Sequence, residues 1–123
     1  MGFDVFEASA AARAVFQEAD EALDMSLSKL CFEGPEEELR RTEIQQPAIL
    51  TTSIALLRTP EETLGKIDAG YVGGHSLGES SALVAAGSLG FADAVRTVHL
   101  RGRLMQAAVA DGCGAMAATI RGK

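Results

Sequence analysis

Tryptophan is absent, and the aromatic residues are five Phe and one Tyr. No basic run breaks the acidic background either. A chain with so few ring platforms and no cationic stripe is a poor candidate for nucleic-acid binding. Cysteine is nearly absent. Cys31 and Cys113 lie far apart, and neither forms a Cys-x-x-Cys pair. That excludes a disulfide framework and a cysteine-based zinc site, and it predicts two free thiols in a reducing cytoplasm. The two histidines, His75 and His99, have no metal-ligand spacing. No cofactor is expected. No uninterrupted apolar run reaches the ~18 residues of a membrane span. The first residues lack a basic region followed by an apolar block, so no signal peptide is expected. Phe6 replaces the hydroxyl residue of a myristoylation pattern. Repeats, low-complexity tracts and linkers are missing as well. At 123 residues the chain holds at most one domain, yet it can bury a core.

What the sequence does have is unevenly spread. Residues 1–62 carry 13 acids and 5 bases, whereas residues 63–123 carry 4 acids and 6 bases. The milder half also carries the most informative stretch, Gly74-His75-Ser76-Leu77-Gly78-Glu79. A short apolar run, Ala69 to Val72, precedes it and reads as a strand. A helix-forming run follows from Leu77 to Ala86. Strand, Gly-x-Ser-x-Gly and helix in that order describe a nucleophile elbow. Gly74 and Gly78 are expected to remove clashes in the tight turn. The Ser76 hydroxyl is then held out above a helix N-terminus, whose free N–H groups suit a developing oxyanion.

The remaining segments read mainly as scaffold. Residues 7–23 predict one amphipathic helix, with Ala8, Ala12, Val15, Phe16, Ala19 and Leu23 on its apolar face. Ser28 to Phe32 reads as a connection. Gly34-Pro35 followed by three glutamates predicts a short helix with Pro35 in its first position, ending near Arg41. Gln45-Gln46-Pro47 opens a helix that runs to Arg58. It is apolar nearly all round, which predicts a buried central position. Thr51, Thr52 and Ser53 are placed to bond backward within it. Thr59-Pro60-Glu61-Glu62 marks a turn or a new helix start. Phe91 to Ala110 predicts the longest helix, with Val95, Val98, Leu104, Met105 and Ala108 on its buried stripe. Ala115 to Ile120 alternates weakly and reads as a strand.

A serine hydroxyl needs a base to become a nucleophile. His75 is adjacent to Ser76, and neighbouring side chains diverge at an elbow, so packing is its expected role. His99 sits mid-helix as a partly exposed surface residue. Glu79 fits dipole compensation better than acid–base work. Arg101 falls near the apolar stripe of its helix. A guanidinium there needs a partner, either an acid of the protein or a bound anion.

Together, several stretches resemble the malonyl-CoA:acyl carrier protein transacylase family. They are Leu30 to Pro35, Gln46-Pro47-Ala48-Ile49-Leu50, the Ser76 hexapeptide, and Leu100-Arg101-Gly102-Arg103-Leu104-Met105-Gln106. The resemblance implies a partial α/β-hydrolase-like acyltransferase subdomain over residues 1–113, helix-rich and of α/β class. Residues 114–123 would begin a small ferredoxin-like subdomain. It further implies that Ser76 carries the acyl group, Arg101 holds a malonyl carboxylate, the Leu77 N–H is an oxyanion donor, and Gln46 lies near the substrate. Malonyl-CoA and acyl carrier protein would be the partners. The family's Gly-Gln-Gly loop and catalytic histidine match nothing in these residues, so an internal fragment of the enzyme is expected. Alternatives from the elbow alone are a serine hydrolase, a polyketide-synthase acyltransferase domain or a non-catalytic module. A carboxylate-binding arginine disfavours the hydrolase.

Overall fold

A single long helix organises the chain. The computed structural model describes residues 1–110, 112–114, 117 and 120. Among them the regular elements are all helices: α1 Phe3–Ala8, α2 Ala10–Leu23, α3 Leu27–Glu33, α4 Glu36–Leu39, α5 Thr42–Leu64, α6 Leu77–Ala85 and α7 Phe91–Ala108. Helix α5 touches the other six, and α2 and α7 pack against each other beside it. Its residues Ile44, Ala48, Leu50, Ile54 and Ala55 are buried, as the apolar circumference predicts. One side stays open, where Ile49 and Leu56 are exposed.

The expected helix over 7–23 is two helices. Ser9 is extended and its Oγ accepts from the Ala12 N–H, capping α2. The same hydroxyl donates to Glu62 at 2.7 Å, tying the start of α2 to the end of α5. Ala12, Val15, Phe16 and Ala19 are buried as expected, whereas Ala8 ends α1 and is exposed. Phe16 sits in an aromatic cluster, with its ring 5.9 Å from Phe6 and 4.9 Å from Phe32.

The expected connection at 28–32 is instead helical. Asp20 accepts from both the backbone N–H and the hydroxyl of Ser28, starting α3, and Leu27 and Cys31 bury one face a turn apart. Pro35 caps α4 from outside rather than occupying its first position. Helix α5 begins at Thr42, so Pro47 is inside it, and it continues through Pro60. A proline costs a helix one N–H and one carbonyl partner, and each site here tolerates that differently. At Pro47, the Glu43 carbonyl that loses its helical donor lies 3.0 Å from His99 Nδ1. Thr51 and Thr52 do not bond backward, and their buried hydroxyls lack a partner. Thr59 does so instead, donating to the Ala55 carbonyl at 2.8 Å.

Residues 69–72 form no strand. A strand is defined by a neighbour, and none pairs with this segment among the described residues. Tyr71 is 99% exposed and Val72 46%. Helix α7 buries Ala94, Val95, Val98 and Gly102, while Leu104, Met105 and Ala108 are exposed. Residues His99 to Met105 of the helix meet the first turn of α5, at Thr42, Glu43 and Gln46. The expected strand over 115–120 falls largely outside the described residues. No helix among them is long and apolar enough to cross a membrane.

Candidate active site

Ser76 stands immediately before α6 with φ 55° and ψ −113°. A non-glycine residue in that region is strained, at a cost of about 1–3 kcal/mol. The turn is closed by Gly78 N–H donating to the His75 carbonyl at 2.9 Å and Glu79 N–H to the Ser76 carbonyl at 3.2 Å. Gly74 is indispensable to it, because a Cβ there would lie 2.0 Å from the Gly78 carbonyl oxygen. The expectation for Gly78 does not hold in the same way, since a Cβ on Gly78 would meet open space. Leu77 is the first residue of α6, where helix geometry offers its N–H no intrahelical acceptor.

Three of the singled-out side chains converge here. Arg101 donates from Nη2 to Ser76 Oγ at 2.9 Å and from Nη1 to Gln46 Oε1 at 2.6 Å. The amide of Gln46 is buried and turns its Nε2 to Met105 Sδ at 3.2 Å. Gln46 therefore faces the site, whereas Gln45 is exposed. The partner expected for Arg101 was an acid or an anion. Two neutral oxygens take that place, and neither offsets the guanidinium charge beside the serine.

The other titratable candidates stand apart. His75 and Glu79 are exposed. His99 is half-buried, and its Nδ1 lies 3.0 Å from the Glu43 carbonyl. A carbonyl only accepts, so Nδ1 carries the proton and is already committed. The elbow borders an apolar groove of about 350 Å³ lined by Ile49, Leu57, Val72, Gly74 and Ala82. A larger concavity of about 490 Å³ lies elsewhere, between Arg41 and the exposed end of α7, and contains none of the converging residues.

Sequence reasoning missed Gly102 as a feature of the site. A Cβ on it would lie 2.6 Å from both Glu43 Cα and the Thr42 carbonyl oxygen. Helix α7 can therefore press onto the first turn of α5 only at a glycine. An isolated glycine within a helical pattern is the one signal that could have found it.

Comparison with known proteins places this geometry. The family model described as "Acyl transferase domain" matches residues 1–121. The malonyl CoA-acyl carrier protein transacylase of Bacillus subtilis (strain 168) is 53% identical over 120 residues, covering 98% of this chain and 37% of that protein. The protein of the same name from Escherichia coli (strain K12) is 54% identical over 105 residues, covering 85% of this chain and 34% of the other. A solved complex of a type II polyketide synthase acyl-carrier protein with its malonyl-transacylase superimposes with a TM-score of 0.84 at 44% identity, over 91% of this chain and 36% of that one. The chain thus spans little more than a third of the length of the relatives it matches. A strained serine before a helix, an arginine upon it and a match over nearly every residue lead to one conclusion: the chain belongs to the acyl transferase domain family.

Proposed function

We propose that this chain is part of a malonyl-CoA:acyl carrier protein transacylase of fatty acid synthesis, and that it works by two acyl transfers through Ser76. The Ser76 oxygen attacks the malonyl thioester of coenzyme A, forming an ester and releasing the coenzyme A thiol. The pantetheine thiol of acyl carrier protein then attacks that ester and regenerates the serine. The Leu77 N–H serves the oxyanion of each tetrahedral intermediate. Arg101 binds the free carboxylate of the malonyl group, for which its planar fork is suited. Gln46 steadies the guanidinium and lies against the substrate. The base for Ser76 and the second oxyanion donor come from outside residues 1–123.

One contact carries this reading. Arg101 donates to Ser76 Oγ at 2.9 Å, so a cation stands within reach of any group esterified there. A charge of that sign at the serine suits a substrate that carries a carboxylate of its own. Residues 1–113 are read as part of the large α/β subdomain and 114–123 as the first strand of a small ferredoxin-like one, on the family resemblance. Two free cysteines support a reducing cytoplasm as its location.

The test is transfer of labelled malonyl groups by a full-length acyltransferase carrying this segment. Mass spectrometry should find the adduct on the Ser76 peptide, and Ser76→Ala should abolish it. Hydrogen bonds to charged groups contribute about 1.5–3 kcal/mol. Arg101→Ala should then lower the preference for malonyl over acetyl roughly 10- to 100-fold. An adduct that survives Ser76→Ala, or an unchanged preference, overturns the reading.

A further inference from the structure

The first turn of α5 contains a defect that α7 repairs. Pro47 has no N–H, so the Glu43 carbonyl four residues earlier loses its helical partner. A part-buried carbonyl left unmatched is costly. His99 of α7 answers it through Nδ1 at 3.0 Å. One turn further along α7, Gly102 rests against Glu43 Cα and the Thr42 carbonyl. Between them on the helix stands Arg101, which donates to Gln46 Oε1 and Ser76 Oγ. Three consecutive features of α7 thus grip residues 42–46, and the guanidinium is flanked by two of them.

We infer that His99 and Gly102 are positioning residues that set Arg101 over residue 76. His99 anchors α7 to a carbonyl that only Pro47 leaves free. Gly102 sets how closely the two helices approach. Ordinary contact begins near 3.4 Å, so a Cβ at 2.6 Å must push the helices apart by about 1 Å. A displacement of about 1 Å at a positioning group costs on the order of 100-fold in rate. His99 is then a structural donor with no part in proton transfer. The consequence for catalysis rests on the proposed role of Arg101, whereas the geometry can be tested without any reaction.

The probe is Ser76→Cys in a full-length acyltransferase carrying this segment, alkylated with iodoacetamide across pH and read at the Ser76-derived peptide. A guanidinium beside a thiol favours the thiolate and lowers the pH midpoint of its alkylation. His75 and Glu79 are common to every variant and cancel. Arg101→Ala in this background sets the midpoint without the guanidinium. Gly102→Ala and His99→Ala should each raise the midpoint toward that limit, slowing alkylation at pH 7 by about three- to tenfold. His99→Asn, which keeps a donor near the place of Nδ1, should restore the low midpoint. Circular dichroism reports folding, and if Gly102→Ala does not fold, the His99 pair decides. The inference is overturned if a folded Gly102→Ala or His99→Ala keeps the low midpoint, or if His99→Asn fails to restore it. If Arg101→Ala itself leaves the midpoint unmoved, the Arg101–residue 76 contact falls, whatever the fate of the proposed reaction.

Discussion

The crossing of α2, α5 and α7 and the segment from residue 65 to Ser76 follow opposite rules. In the crossing, Ala12, Phe16, Ala48, Leu50, Val95 and Val98 are nearly inaccessible, and each is held by several others. In the segment, Ile67, Tyr71 and Val72 lie exposed, and the turn is fixed by two backbone hydrogen bonds and the absence of a Cβ on Gly74. Stability resides in the first region and the strained, reactive geometry in the second. Arg101 is the link, because it is rooted in the crossing and ends at the elbow.

The largest expected effect strikes the crossing. Phe16→Ala removes a fully buried ring from the aromatic cluster and should cost about 3–5 kcal/mol of stability. Chemical unfolding measures this. In a full-length enzyme the same variant should leave the malonyl-to-acetyl ratio unchanged, and a changed ratio would break the division of labour. A smaller effect of opposite sign is expected at the elbow. Measured against Ser76→Ala, which loses the same hydroxyl, Ser76→Gly relieves a positive φ, at some entropic cost in the unfolded chain, for a net gain of about 1 kcal/mol. A loss of stability relative to Ser76→Ala would show that the serine's backbone is not strained.

The smallest effect sharpens the contrast through pH. Burial pushes the Cys31 thiol up from 9.0 to about 11. The folded chain therefore holds its proton where the unfolded chain releases it. The Cys31 contribution is complete below pH 9.0 and declines as pH rises toward about 11. Cys31→Ala should flatten the decline in unfolding free energy over that window. Cys113, which is exposed, should be alkylated at pH 8 well before Cys31.

Periodicity made the crossing legible. The three- and four-residue spacing in 10–23, and the apolar circumference of 42–58, follow from local chain geometry and predict burial without any partner being named. The elbow was legible for another reason, since the tight turn before the helix demands a glycine two residues ahead of the serine, where a Cβ on Gly74 would strike the Gly78 carbonyl. What escaped was non-local or capped. Helix α3 is too short for a period to register, and it depends on Asp20 reaching Ser28. The strand over 69–72 was inferred from apolar content alone, whereas a strand exists only with a neighbour. Helix α5 runs through two prolines that normally punctuate, because tertiary contacts compensate the first. The convergence of Ser76, Arg101 and Gln46 spans 25 and 55 residues of chain. No spacing rule reaches that far, and only family resemblance placed them together.

The donation from Arg101 to Ser76 Oγ also restricts where a proton can travel. A serine oxygen has two lone pairs and one hydrogen, and the guanidinium occupies one lone pair. The hydroxyl hydrogen is thereby kept off the cation's side, so its acceptor must lie along one of the two remaining staggered directions. Arg101 thus acts as a compass for the hydroxyl, removing one of three staggered bearings from its hydrogen before any acceptor is in place.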